Sequence, residues 1–145
     1  MVWIIGHIPI SYKDCSPQWG IRYSALLERY QHIVRFTTFG HIHTEEFVVN
    51  RSLVNNDPIG VEYIGGNFGS FDGMNPTARL YTFHQDYHVP LDFKVYEFDI
   101  ERANNGQPDM RLFFDFKRDF DLADLSPSSH AALTRKFSVD NELAL

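Results

Sequence analysis

Two short runs of strand-forming residues, separated by one helical pattern, constrain the fold more than any other feature of this chain. The first run is Val2–Ile5 and the second is Val34–Phe39, and both are rich in β-branched and aromatic residues. From Gln18 to Ile33 apolar residues recur at steps of three and four, which is typical of one helix face. A strand, a helix and a strand within about 38 residues predict a βαβ unit with parallel strands. We expect the first strand to be buried, since it is apolar throughout.

The remainder of the chain is typical of an antiparallel sheet. Five further β-type segments are separated by turns rich in Asn, Asp, Gly and Pro. These segments are Glu46–Asn50, Val61–Ile64, Arg79–His84, Phe93–Ile100 and Arg111–Lys117. Because the fourth segment carries aromatic residues on both alternate faces, we expect this sheet to be covered on both sides.

Two helical segments are predicted near the end of the chain. Leu122–Leu125 is expected to form a short helical turn, and a longer helix should run from Pro127 to about Phe137, with Ser126 as its N-cap. The predicted fold class is therefore α/β, or α+β, with one βαβ unit, antiparallel strands and a C-terminal helix. We divide the chain into the regions 1–50 and 51–145.

Composition narrows the function classes. The chain has 145 residues, 43% of them hydrophobic, which is enough for about one globular domain. Its 19 acidic and 13 basic residues give a net charge of −6, which argues against a nucleic-acid partner. No apolar run approaches the ~20 residues of a membrane span, and no secretory signal peptide is visible. The single cysteine, Cys15, excludes an internal disulfide framework.

Three histidines lie where the predicted parallel strands end. His7 follows the first strand, and His41 and His43 follow the second. Carboxyl ends of parallel strands share one edge of a sheet, so we expect the three imidazoles to converge there. His41 and His43 should point the same way if the backbone between them is extended. Imidazole is the commonest protein ligand for zinc, so the pattern predicts a metal site, either a catalytic site or a structural site with a single zinc ion. The alternative interpretation is that the three residues are solvated loop histidines without a metal.

Other polar residues are given no role in this site. His32 within the helix, His84 and His88 around a hairpin, and His130 on the last helix are not expected to contribute. The carboxylates of Asp14, Glu45 and Glu46 are interpreted as solvated loop groups rather than as supports for the metal ligands. Cys15 has no neighbouring cysteine that would favour a zinc site.

The histidine motifs resemble a known family. Trp3-Ile4-Ile5-Gly6-His7-Ile8-Pro9 and, after a helix containing Arg29-Tyr30, Phe39-Gly40-His41-Ile42-His43-Thr44-Glu45-Glu46-Phe47 are similar to the last two metal motifs of calcineurin-like metallophosphoesterases. Three downstream stretches resemble the acid sphingomyelinase branch and extend the similarity over nearly the whole chain. They are Gly73-Met74-Asn75-Pro76, Arg79-Leu80-Tyr81 and Asp124-Leu125-Ser126-Pro127.

The resemblance implies a two-metal phosphodiesterase that uses zinc (Zn²⁺), with His7 and His41 binding one ion and His43 the other. It implies part of the metallophosphoesterase sandwich in region 1–50 and an acid sphingomyelinase-like C-terminal region in 51–145. The family's earlier motifs, Asp-x-His, Gly-Asp-x-x-Asp and Gly-Asn-His, have no counterpart, and Ile10 replaces a usual proline. We therefore expect a C-terminal part that lacks catalytic residues and is inactive and poorly soluble without the missing N-terminal half.

The resemblance also implies a substrate and a location. The complete enzyme would convert sphingomyelin into ceramide and phosphocholine, and it would contact a membrane surface only through this lipid substrate. Nucleotide phosphodiesters are the alternative substrate. A non-catalytic binding module is the alternative function. A secreted or lysosomal parent is expected. Cys15 would pair with a cysteine in the missing half, and Asn50-Arg51-Ser52 is a glycosylation sequon.

Overall fold

A computed structural model describes residues 1–10 and 13–139, which form seven strands and four α-helices. The strands are β1 Val2–Ile5, β2 Val34–His43, β3 Glu46–Arg51, β4 Pro58–Gly66, β5 Thr77–Phe83, β6 Pro90–Phe98 and β7 Met110–Asp115. The helices are α1 Pro17–Tyr30, α2 Ile100–Asn104, α3 Phe116–Asp119 and α4 Pro127–Phe137, with a 3₁₀ turn at Phe71–Gly73. None of the described helices has the length and apolar character needed to cross a lipid bilayer.

The first sheet contains four strands in the order β1-β2-β4-β3. β1 pairs in parallel with β2, with α1 between them in the chain, which confirms the predicted βαβ unit. β4 then pairs in parallel with β2 and antiparallel with β3. The prediction of one antiparallel sheet from all five later segments was therefore wrong for the first two. The run 61–64 of β4 is buried throughout, as a central strand requires, and this burial places β4 beside β2.

The second sheet is antiparallel, in the order β5-β6-β7, as predicted for the last three segments. One hydrophobic core joins it to the first sheet and to α4. The buried core residues are Phe36, Val61, Tyr63, Phe93, Val95, Phe116, Leu125 and Leu133. On the opposite face of the first sheet, Tyr23 of α1 contacts Phe39 of β2, with ring centroids 6.4 Å apart. The boundary between residues 50 and 51 falls inside β3, and the division into two regions stays a prediction.

β1 is more exposed than predicted. Val2 is 41% exposed and Ile5 is 75% exposed, so the expectation of a buried strand was wrong. Within the described residues β1 is an edge strand whose only partner is β2, so one long side of it has no neighbour. Trp3 is held on its inner side, where its ring stacks on Phe83 and its indole nitrogen donates to the carbonyl oxygen of His88.

Several element boundaries differ from the predictions. α1 ends at Tyr30 rather than Ile33, because a tight turn follows, and this places His32 outside the helix. β2 continues past Phe39 to His43. β6 and β7 end before the predicted limits, because their last predicted residues begin helices α2 and α3.

Two helical predictions near the end of the chain have opposite outcomes. Leu122–Leu125 is not helical, and Leu125 instead joins the core from a loop. α4 is confirmed, with Pro127 in its first turn, and the Ser126 hydroxyl accepts a hydrogen bond from the amide of Ser129. A side-chain cap at the N-terminus and a proline in the first turn are strong local signals that do not depend on distant contacts.

Candidate functional site

The loops that carry His7 and His41 are joined by backbone hydrogen bonds. The amide of Gly6 donates to the carbonyl oxygen of Thr38 at 3.0 Å, and the amide of Gly40 donates to that of His7 at 2.9 Å. These bonds extend the parallel pairing beyond the end of β1. The two imidazole rings meet edge to face, with centroids 5.1 Å apart. The predicted meeting of His7 and His41 at one edge of the sheet is therefore confirmed.

Gly6 allows the first loop to pass this close to β2. A Cβ atom at position 6 would lie 2.6 Å from the Cε1 atom of the Phe39 ring, which is too short for any side chain. The glycine before His7 thus serves close packing against β2, and the aromatic ring of Phe39 determines the path of the loop.

The backbone at His41 and His43 differs from the extended form that was predicted. Both His41 and His43 have left-handed backbone conformations, with φ of 73° and 68°. The backbone at both positions is therefore not extended, so the extended geometry on which their common direction was predicted is absent. The His43 ring contacts Phe71, with centroids 5.3 Å apart. Left-handed residues other than glycine cost about 1–3 kcal/mol each and concentrate at functional sites, which makes this pair notable.

Asp14 contacts the histidine pair, although its side chain is 52% exposed, as predicted for a solvated loop carboxylate. Its Oδ2 atom lies 3.0 Å from the Nε2 atom of His41, within hydrogen-bonding distance. A carboxylate on one ring nitrogen fixes the orientation and tautomer of an imidazole whose other nitrogen binds a metal ion. No sequence signal marks this contact, because it depends on the path of the loop between β1 and α1.

Glu45 is a second carboxylate, and the prediction that it is a solvated loop group was wrong. Its side chain is 13% exposed and forms an ion pair with Arg79 of β5, whose side chain is 8% exposed. Glu45 also accepts hydrogen bonds from the amide of Gly66 and the hydroxyl of Thr77. This buried ion pair ties the segment that follows His43 to β4 and β5. Glu46, in contrast, is exposed and accepts a local hydrogen bond from the hydroxyl of Thr44.

The donor types at this edge fit zinc, but their number is small. Imidazole and carboxylate groups are ordinary zinc ligands, and His7, His41 and Asp14 supply both kinds. Among residues 1–10 and 13–139, no set of three or more His, Cys, Asp or Glu side chains is arranged to hold a metal ion. An ion bound by His7 and His41 would need further ligands, so the metal-binding roles of His7, His41 and His43 stay predictions.

The remaining histidines lie elsewhere in the molecule. His84 and His88 belong to the turn between β5 and β6, and His32 is exposed after α1. His130 on α4 is fully buried against the aromatic rings of Phe47, Tyr63 and Phe116. Burial lowers its pKa. His130 is therefore a neutral core residue at neutral pH.

The acceptor nitrogen and the serine of the glycosylation sequon are buried, whereas the single cysteine is partly exposed. The Asn50 amide nitrogen, to which a glycan would be attached, is buried beside Gly60, and Ser52 is only 8% exposed. The folded structure thus gives glycosylation at Asn50 no support. Cys15 is partly exposed and its thiol is free.

Comparisons with known proteins find no matching family model. Individual relatives match almost all of the chain. Sphingomyelin phosphodiesterase 2 of Caenorhabditis elegans is 27% identical over 99% of the chain, and sphingomyelin phosphodiesterase of Bos taurus is 28% identical over 98%. The cyclic GMP-AMP phosphodiesterase SMPDL3A of Mus musculus is 23% identical over 94% of the chain. The chain spans about a quarter of the length of the first two relatives, 24% in each case.

This similarity extends well beyond the histidine motifs and agrees with the resemblance that those motifs carry. Over almost its whole length, the chain is similar to sphingomyelin phosphodiesterases.

Proposed function

We propose that this chain supplies the histidine-bearing edge of a metal-dependent phosphodiesterase of the acid sphingomyelinase type. The observation that carries the proposal is the meeting of His7 and His41 at the carboxyl ends of parallel β1 and β2. The names of its relatives, all phosphodiesterases, support the same class of reaction.

In this proposal each residue at the edge has a separate task. His7 and His41 hold one zinc ion, and His43 holds the second. Asp14 orients the His41 ring through the contact at Nε2. When bound, the two ions would polarise the phosphoryl group of the substrate and lower the pKa of the attacking water. The Glu45–Arg79 ion pair keeps the segment after His43 in place.

Sphingomyelin is the substrate we propose first, giving ceramide and phosphocholine, because it is named for the relatives from C. elegans and B. taurus. A nucleotide phosphodiester is the alternative, since the mouse relative is named for cyclic GMP-AMP. The bridging metal ligand and the acid that such chemistry requires would come from a segment outside this chain, in a secreted or lysosomal parent. The chain by itself should then bind zinc weakly and hydrolyse nothing.

Zinc titration calorimetry on the purified chain tests the metal site directly. We expect weak binding that is lost in His41→Ala and retained in His32→Ala, which removes an exposed histidine distant from the edge. Equal binding by both variants would exclude the proposed site.

Hydrolysis of bis(p-nitrophenyl) phosphate in the presence of zinc tests the catalytic part of the proposal. We expect no turnover above the metal-only blank, because two histidines and one carboxylate supply no bridge between two ions. Turnover that His41→Ala abolishes would show that the chain carries a complete centre. Absence of both turnover and zinc binding would favour a non-catalytic binding module.

A further inference from the structure

A cavity lies at the amino ends of β2 and β4, opposite the carboxyl ends that carry the histidines. It has a volume of about 540 Å³, which is within the range of small-molecule sites. Its walls come from the amino-terminal parts of β2 and β4, the start of β6 and the loop before α4. Most of the lining is apolar, and its main apolar residues are Leu27, Val34, Phe36, Val61, Leu91 and Leu125.

Two cationic side chains, Arg35 and Lys117, line this largely apolar cavity. The Nε atom of Arg35 is buried and has no hydrogen-bond partner among residues 1–10 and 13–139. Buried donors are almost always paired, so the described residues leave the hydrogen-bonding capacity of the Arg35 guanidinium incompletely used. Arginine presents its N–H groups in a planar fork that matches carboxylate and phosphate oxygens.

The one carboxylate in the lining, Asp124, does not neutralise both cations. Its Oδ1 atom accepts hydrogen bonds from the amide of Ser126 at 2.9 Å and the hydroxyl of Ser129 at 2.6 Å. Hydrogen bonds from Ser126 and Ser129 lower the pKa of Asp124 to about 2. The negatively charged carboxylate therefore interacts with the groups at the start of α4. The cavity lining retains an excess of one positive charge.

We propose that this cavity binds an amphipathic anion, an apolar chain carrying one carboxylate or phosphate group that pairs with Arg35. The apolar walls would hold the chain, and Lys117 would add a second positive charge near the head group. This inference is independent of the phosphodiesterase proposal, because the cavity and the histidine edge share no residue.

Isothermal titration of the chain with decanoate, decyl phosphate, decanol and inorganic phosphate tests the proposal. We expect both charged amphiphiles to bind at least about tenfold more tightly than decanol and than inorganic phosphate. Arg35→Gln should weaken decanoate binding about tenfold, and Lys117→Gln should weaken it as well. Arg22→Gln, which removes an exposed arginine on α1, is the matched control and should leave binding unchanged.

Three outcomes would overturn the proposal. They are equal binding of decanoate and decanol, equal binding of decanoate and inorganic phosphate, and equal affinity of the Arg35→Gln and Arg22→Gln variants. Circular dichroism of Arg35→Gln establishes whether the variant folds. Should it not fold, the comparison of Lys117→Gln with the Arg22→Gln control decides in its place, equal affinity again contradicting the proposal.

Discussion

At the scale of single residues, the buried charges of this protein are compensated very unequally. Glu45 and Arg79 pair with each other, and Arg79 also donates to the backbone carbonyl oxygens of Glu46 and Ile64. Glu62 is fully buried at the centre of β4 between the sheet and α1 and forms no ion pair with any described residue. The first arrangement stabilises a loop, whereas the second makes stability depend on pH.

Replacing Arg79 by methionine should destabilise the fold strongly. The substitution leaves the Glu45 carboxylate buried without its cation, and such losses cost about 3 kcal/mol. Urea unfolding followed by fluorescence measures the effect. Arg118→Met is the control, because Arg118 pairs with Asp119 on the surface and exposed pairs contribute little. A similar loss of stability in both variants would contradict the assignment of Glu45–Arg79 as the structural pair.

Glu62 should make the protein less stable as the pH rises. Burial raises its pKa from 4.5 to about 7, and the nearby polar groups of Asn50 and the Ile10 backbone offset this only in part. Because the folded state binds the proton more tightly than the unfolded state, the stabilisation is complete below pH 4.5 and is lost as the pH rises through about 7. The full difference is about 3 kcal/mol.

Unfolding free energies of wild type and Glu62→Gln at pH 5 and pH 8 test this prediction. Glutamine keeps the shape of the side chain and cannot ionise, so the variant should be more stable than wild type at pH 8 and should lose the pH dependence of this group. An unchanged pH dependence in the variant would show that other groups cause it.

At the scale of elements, local sequence patterns predicted the helices and strands that are determined by contacts between residues close in the chain. The βαβ unit follows from two apolar runs around a helical period, and α4 follows from Ser126 and Pro127. The parallel pairing of β4 with β2 was not predictable, because β3 lies between these two strands in the chain and no local pattern marks a pairing that skips it. The meeting of His7 and His41 was predictable, because both residues follow the carboxyl ends of neighbouring parallel strands. The left-handed backbone at His43, whose ring contacts Phe71, was not predictable, because no feature of the sequence indicates it.

Gly6→Ala tests how β1 and β2 are joined at this edge. The new methyl group would meet the Phe39 ring at 2.6 Å, so ring and loop must move apart. We expect a loss of about 1–3 kcal/mol in unfolding free energy and a separation of the His7 and His41 rings, seen as altered imidazole NMR shifts. Gly69→Ala is the matched control, since a Cβ atom there meets nothing closer than 3.9 Å. Unchanged shifts in Gly6→Ala would contradict this account.

At the scale of the whole molecule, the exposed side of β1 is an apolar surface next to an unpaired strand edge. Val2 is 41% exposed and Ile5 is 75% exposed there. An apolar edge strand promotes association between chains, which a net charge of −6 opposes only over long distances.

Ile5→Lys should reduce self-association of the purified chain without lowering its stability. Ile5 is 75% exposed, so lysine loses little packing there and adds a charge that blocks edge pairing. Light scattering across a concentration series measures the change. Val54→Lys replaces an apolar residue that is 85% exposed, in the turn after β3 at the other side of the sheet from β1, and is the control. Equal effects of the two substitutions would mean that charge alone, and not the strand edge, governs association.

The position of β4 also affects the order in which the strands of the first sheet pair during folding. The hairpin β3–β4 pairs Asn50 with Gly60, β2 pairs Thr37 with Glu62, and β1 pairs Val2 with Val34. Loop-closure entropy grows with the length of chain enclosed, so the hairpin should form first, β2 should join it next, and β1 should dock last. The sheet would then assemble in the reverse of the order in which a ribosome delivers its strands, and the histidine edge would be completed only in the final step.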